Sequence, residues 1–286
     1  MVRLTHGNNL APVCVLGVCG GIASGKTKRC AHLAQAFDGA LFGEHHRSLP
    51  NITRRALDLI SLPTFLHVKH INVDVVAHSL YASPTQPVFT ELVKTFGESI
   101  VSSEGHINRQ HLGTKVFGHP AELAKLNQIM WPPLRREIEG ILNAITTKVI
   151  ESNTKDSGHR HVGYPLLEMA ILDECDSLLP LLSHLWICHV PPAIALERIK
   201  LRNPALSPEE CKRRIASQRT FRERIEAFKM WSDSRPPHLK VVPFEGIETA
   251  EDTLERGLKA IEETFMAYVA RSWPWQDKGV KMSQDT

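Results

Sequence analysis

The sequence predicts an α/β protein of three layers, α/β/α, with a parallel sheet in the middle, a helical block between two of its strands, and an arginine-rich lid. Three observations carry that expectation. The stretch Gly20-Gly21-Ile22-Ala23-Ser24-Gly25-Lys26-Thr27 reads G-x-x-x-x-G-K-[ST]. Apolar runs of strand length recur along the chain with helical stretches between them, the alternation that builds a parallel sheet. Late in the chain, arginines crowd one helical stretch at Arg213, Arg214, Arg219, Arg222 and Arg224.

The glycine-rich stretch has a specific physical meaning. Its glycines let successive backbone N–H groups curl around an anion, and the helix that follows adds its positive N-terminal end. Lys26 supplies a cation for the β- and γ-phosphates, and the Thr27 hydroxyl supplies a ligand for Mg²⁺. Context separates this reading from a merely decorative turn. Val13-Cys14-Val15-Leu16-Gly17-Val18 upstream is an unbroken apolar strand. Downstream, Cys30, Leu33, Ala34 and Phe37 recur at helical spacing, and Asp38-Gly39 stop the helix. Strand, loop and helix in that order predict the nucleotide-phosphate site of a P-loop hydrolase or P-loop kinase, with the phosphates held by Gly20 to Thr27 and Lys28 directly after them.

Residues 1–12 read as a leader and 39–67 as an insertion, broken by Pro50 and Pro63. His45-His46 within it lacks companions at ligand spacing and reads as solvated loop. A second strand, His67-Val68-Lys69-His70-Ile71-Asn72-Val73, ends at Asp74. An acid at a strand's carboxyl end is placed for catalysis and is also a candidate Mg²⁺ ligand. The same residue fits equally well as a helix N-cap.

Residues 83–136 predict the helical substrate block, with Gly97 ending its first helix and Trp131-Pro132-Pro133 ending a later one. Trp131 could stack on a ring, although a helix-end aromatic is more often core. Leu134, Ile138, Ile141, Leu142, Ile145 and Val149 outline another amphipathic helix. His161-Val162-Gly163-Tyr164 is a weak third strand that carries no acid; Glu168 is the nearest one. Residues 185–190 form a fourth strand. Residues 200–228 are the expected lid, opened by the capping box Ser207-Pro208-Glu209-Glu210. A strand at 240–244, a helix capped at Thr249 and a frayed tail over 269–286 complete the chain.

Composition bounds the partners. A hydrophobic fraction of 42% and a charged fraction of 23% are those of a soluble globular protein. The net charge of +3 makes no case for a nucleic-acid partner, and no apolar run reaches the length of a membrane span. The six cysteines show no metal-type spacing and read as reduced, buried thiols of an intracellular protein. Cytoplasm is the expected compartment, with an organelle left open, and a monomer is expected.

Beyond the phosphate loop, several segments together resemble dephospho-CoA kinase. They are Asn72-Val73-Asp74, Ile107-Asn108-Arg109 with Val116-Phe117, Ile129-Met130-Trp131-Pro132, Leu166-Leu167-Glu168 and residues 218–224. Met130-Trp131-Pro132 and His78 look more like the kinase domain of eukaryotic CoA synthase. The bacterial type usually has histidine before that proline and arginine at the position of His78. The resemblance implies ATP- and Mg²⁺-dependent phosphorylation of the ribose 3′-hydroxyl of dephospho-CoA. It implies that Asp74 receives the hydroxyl proton and that Arg202 lies near the adenine and phosphates. Arg109, Trp131, Pro132 and Glu168 would meet substrate, with Arg219, Arg222 and Arg224 in the lid. Asn72 and Lys28 depart from the family pattern, replacing an acid and a small hydroxyl residue. Read from the residues alone, another small-molecule P-loop kinase or a regulatory nucleotide-binding protein stays open.

Overall fold

The computed structural model describes residues 5–6, 9–10, 13–39, 41–42, 64–116, 118–156, 158–233, 240–245 and 255. Strands β1 (Thr5–His6) and β2 (Asn9–Leu10) pair antiparallel with each other inside the expected leader. The main sheet holds β3 (Leu16–Gly20), β4 (Leu41–Phe42), β5 (Thr64–Asn72), β6 (Arg160–Glu168), β7 (His184–His189) and β8 (Lys240–Glu245). Their spatial order is β4-β5-β6-β3-β7-β8, parallel except for β4 at the edge.

The apolar run before the phosphate loop is continuous because β3 is covered on both faces. Val15 and Cys19 face a core built with Leu134, Ile138, Leu142 and Phe228. Cys14, Leu16 and Val18 face the opposite one, closed by Cys30 and Leu33 of α1 (Lys26–Phe37). All six cysteines are buried and none is in a disulfide, in line with the expected reduced state. Burial lifts the Cys14 thiol to about 12.

A third core belongs to the helical block. There α2 (Val73–Ser79), α3 (Pro87–Phe96) and α4 (Arg109–Val116) pack on the first part of α5 (Pro120–Lys155). Gly97 ends α3 at φ 81°, as expected of a helix C-terminal glycine. The expected break at Trp131-Pro132-Pro133 does not occur: α5 runs through both prolines as one helix of 36 residues. Its buried stripe explains the continuity. Met130 lies in the helical-block core, while Leu134, Ile138 and Leu142 lie in the central one. Each interior proline costs about 3 kcal/mol, and large apolar side chains buried on both sides of the pair offset it.

Three further boundaries differ from the sequence reading. The third strand is not a weak stub ending at Tyr164; it continues through Pro165 to Glu168. Proline is accommodated because the β3–β6 ladder opens only at Leu16–Leu166, with an isolated bridge, Val13–Gly163, on the other side of the gap. The expected insertion boundary at residue 67 falls inside β5, which begins at Thr64. The arginine-rich stretch forms two helices, α7 (Pro208–Ala216) and α8 (Phe221–Asp233), preceded by α6 (Pro192–Arg202). The reciprocal Ser207–Glu210 capping box opens α7 as expected, and Thr220 with Glu223 makes a matching pair before α8. Most of the insertion, the helix expected from Thr249 and the expected tail lie outside the described residues. Among the described residues, no helix is long and apolar enough to cross a membrane.

Candidate active site

Parallel register lines up the carboxyl ends of three neighbouring strands. Glu168, the last residue of β6, is in register with Val18 of β3 on one side and Asn72 of β5 on the other. The phosphate loop leaves β3 just beyond Val18, and Asp74 follows just beyond Asn72. Two segments far apart in sequence therefore flank Glu168, at the end of the sheet where such folds hold ligands.

Two glycines of the loop are fixed by sterics. Gly20 has φ 142°, and a Cβ there would overlap the Cys188 carbonyl. Gly25 has φ 82°, and its Cβ would lie 2.9 Å from Arg29 Nη1. Ala23 also takes a left-handed φ of 60°, alone among the described non-glycine residues. Arg29 Nη1 donates to the Ser24 carbonyl at 2.6 Å, and Arg198 Nη1 donates to the Ala23 carbonyl at 3.1 Å. The Ile22 N–H donates to Gln218 Oε1 at 2.7 Å, which ties the segment between α7 and α8 to the loop.

Lys26, only 9% exposed, folds back on its own loop, donating to the Gly20 and Gly21 carbonyls at 2.9 and 3.0 Å. Burial lowers its pKa. Beside it, the Thr27 hydroxyl donates to Glu168 Oε1 at 2.5 Å, and His70 Nε2 lies 2.8 Å from Glu168 Oε2. Burial alone would raise the Glu168 carboxyl; the hydrogen bonds from His70 and Thr27 outweigh it and hold the group below its ordinary value. Asp74 goes the other way. Burial lifts its carboxyl, opposed by the Ala170 N–H it accepts at 3.3 Å and by the charge of Lys26.

Asp74 is not the N-cap of its helix. Asn72 is, its Oδ1 accepting from the Val75 N–H at 3.1 Å. The residue that departs from the family pattern thus does the capping and leaves the Asp74 carboxylate uncommitted to it. The third-strand acid missing at 162–164 is Glu168 itself, delivered by the longer β6.

The remaining expected residues are distributed unevenly. Lys28 and Arg202 are exposed, and Arg198, one turn before Arg202, is the residue of α6 that reaches the loop. Arg109 places a guanidinium nitrogen within hydrogen-bond distance of His78 Nδ1, at 3.1 Å, and His78 feels the charge of Asp74. Trp131 is partly buried against two cores, in keeping with the structural reading of that aromatic. Pro132 lines a groove of about 820 Å³ with Leu80, Pro87, Val88, Ile129 and Arg136. Arg219 and Arg222 are exposed, Arg222 pairing with Glu226. Arg224 departs from the solvated lid face: it is 1% exposed and donates to the Arg219 and Ala170 carbonyls. Its guanidinium thereby joins α8 to the turn that follows Glu168.

A family model described as dephospho-CoA kinase matches residues 61–234, well over half of the chain. The chain belongs to the dephospho-CoA kinase family. Two relatives named dephospho-CoA kinase show how far the family likeness extends. The one from Enterococcus faecalis is 27% identical over 249 residues, covering 87% of this chain and 96% of its own. That from Dehalococcoides mccartyi is 27% identical over 212 residues, covering 74% and 84%. The crystal structure of TT1252 from Thermus thermophilus shares the fold, with a TM-score of 0.51 and 18% identity over 87% of this chain and 95% of that one.

His70, Arg29 and Arg198 are the site residues that sequence reasoning missed; Gln218 was read as part of the 218–224 segment, without its contact to the loop. His70 lies in the strand that was expected to end at Asp74, at the even spacing from Asn72 that puts both on one face. That spacing was its available signal.

Proposed function

We propose that Lys26, Thr27, Asp74 and Glu168 carry out the reaction that family membership gives this chain. As a dephospho-CoA kinase it uses ATP to phosphorylate dephospho-CoA, giving coenzyme A. The observation that carries the assignment of roles is geometric: the register of β3, β5 and β6 brings Lys26, Thr27, Asp74 and Glu168 together at the carboxyl end of the sheet, and the two carboxyls there are displaced in opposite directions. Groups whose environments push their pKa values apart divide acid–base work between them. Glu168 is the fixed anion, locked by Thr27 and His70. Asp74 is the base, placed to accept the proton of the ribose 3′-hydroxyl as the phosphoryl group arrives.

Lys26 leaves the Gly20 and Gly21 carbonyls for the β- and γ-phosphates, whose negative charge opposes the lowering that burial imposes on its pKa. Thr27 and the two carboxylates are hard oxygen donors that suit Mg²⁺, which when bound neutralises charge on the transferring phosphate. Arg198 and Arg29 hold the loop open as a cradle. Arg219 and Arg222 lie exposed on the lid, where closure would bring them over the phosphates and exclude water. The groove along α3 and α5 supports binding of the acceptor's pantetheine arm. Buried free thiols support a reducing compartment. We read the protein as a cytoplasmic monomer acting on small molecules, with no nucleic-acid or membrane partner.

The test is ADP release coupled to an optical readout, with dephospho-CoA, nucleosides, nucleotides or no acceptor. Turnover is expected with dephospho-CoA and ATP·Mg²⁺. Preference for a nucleoside or nucleotide, or ATP binding without turnover on any acceptor, would overturn the reading.

A further inference from the structure

Behind the phosphate loop, three elements bring three different donors together. Cys30 comes from α1, His70 from β5 and Glu168 from the end of β6. One donor atom of each, a thiol sulfur, an imidazole nitrogen and a carboxylate oxygen, lies within 4.8 Å of the other two. Cys30 and Glu168 are almost fully buried, and the His70 side chain is 17% exposed, which leaves the cluster reachable from one side. The backbone around them is rigid: β5 and β6 are hydrogen-bonded neighbours, and α1 packs across both through Cys30 and Leu33.

The chemistry of this set is not that of Mg²⁺, which takes oxygen and does not select a thiol. Zn²⁺ takes thiolate, imidazole and carboxylate alike, at roughly 2.0–2.3 Å in tetrahedral geometry. Such a sphere sets neighbouring donors about 3.3–3.8 Å apart, so the His70–Glu168 pair, now 2.8 Å apart, widens to admit the ion while the three donors, all within 4.8 Å of one another, gather around it. We propose that Cys30, His70 and Glu168 form a site for a thiophilic divalent cation, fitting Zn²⁺, that competes with Thr27 for Glu168. Binding replaces the Cys30 S–H bond with a sulfur–metal bond and releases the proton to solvent. Neutral His70 gives the lone pair of Nε2, Glu168 gives one oxygen, and a water completes the tetrahedron. Beside His70 the ion takes Glu168 Oε2, and it competes for the charge of the same carboxylate with the Thr27 hydroxyl, which meets Oε1 at 2.5 Å. The metal site stands on geometry alone. Its consequence, inhibition of phosphoryl transfer, rests on the roles proposed above for Thr27 and Glu168.

Co²⁺ is the probe that reports the ligand set directly, because a cobalt–thiolate bond gives a charge-transfer absorption that nitrogen and oxygen ligands do not. The whole protein, titrated with Co²⁺ and then with competing Zn²⁺, is expected to show that band at one ion per chain. Cys30→Ala is expected to abolish the band. Cys30→Ala and His70→Gln are each expected to weaken Zn²⁺ binding by roughly 100-fold or more, since even groups behind the ligands contribute 10- to 100-fold. Circular dichroism checks each fold, and the more accessible His70 keeps the test alive if the buried Cys30 variant fails to fold. Unchanged Zn²⁺ affinity in the folded variants, or cobalt bound without the band, would put the ion on other histidines and overturn the site. In the kinase assay with Mg²⁺ in excess, Zn²⁺ is expected to inhibit wild type far more than Cys30→Ala. A cobalt–thiolate band without that inhibition would overturn the competition for Glu168. A chain that shows the band but phosphorylates no acceptor would keep the metal site and sink the proposed function instead.

Discussion

At Asp74, one substitution separates charge from everything else the side chain does. Asp74→Asn keeps its size and its ability to accept from Ala170, and Asn72 continues to cap α2. Turnover is expected to fall by roughly 10²-fold or more, the usual scale for a general base, while dephospho-CoA affinity changes far less. Wild-type turnover in a folded Asp74→Asn protein would rule the base out. Stability is expected to move in the other direction. The carboxyl sits above its ordinary 3.8 in the folded state, so its stabilising contribution is complete below 3.8 and is lost as pH rises through the folded value. Asp74→Asn should therefore melt at a higher Tm than wild type at neutral pH, with the difference closing as pH falls. Lys26, Thr27 and Asp74 were legible in the sequence because local spacing fixes their surroundings. The pairings of the site were not: Glu168, itself expected there, reaches Thr27 across 141 positions, Arg198 reaches Ala23 across 175, and Gln218 reaches Ile22 across 196. No periodicity reports a hydrogen bond of that range.

Among the elements, α5 shows where a sound local rule is overridden. Two adjacent prolines ordinarily stop a helix, and the sequence reading stopped it there. Continuity of the apolar stripe from Met130 to Val149 decides otherwise, because packing outweighs propensity in a buried helix. The prolines leave the Gln128 and Ile129 carbonyls without their usual intrahelical donors, and both residues line the groove beside Pro132 and Pro133. Pro132→Ala with Pro133→Ala restores those donors. The double variant is expected to raise Tm by several degrees and to raise the KM for dephospho-CoA, with the KM for ATP changed little. A lower Tm, or an unchanged KM for dephospho-CoA, would show that the prolines serve neither the groove nor a trade against stability. β6 repeats the lesson with opposite sign. The sequence reading placed the third strand at 161–164, short of Pro165, yet proline fits a strand wherever its nitrogen faces a gap in the ladder, and that gap is a tertiary fact.

For the molecule as a whole, the segment between β4 and β5 is the place to cut. Phe42 and Thr64 are antiparallel partners, so the ends of residues 43–63 already stand side by side. Replacing those residues with an Asn-Gly turn should leave a hairpin, with folding retained and the KM for ATP within roughly 3-fold of wild type, since loop length costs little. Loss of folding would show that the segment belongs to the core. The sheet's alternation of strands and helices was readable at this scale, but its order was not, and the order is what makes the site. β6 lies between β3 and β5, so Asp74 meets the turn after Glu168 across 96 positions. In kinetic terms this makes catalytic competence a late event. The contacts among α2, α3, α4 and the first part of α5 are close in sequence and can form early, whereas docking β6 between β3 and β5 must wait for the whole helical block to be closed into a loop. During refolding from denaturant, helical ellipticity should therefore recover well before ATP binding does, and simultaneous recovery of the two would mean that the sheet assembles as early as the helices.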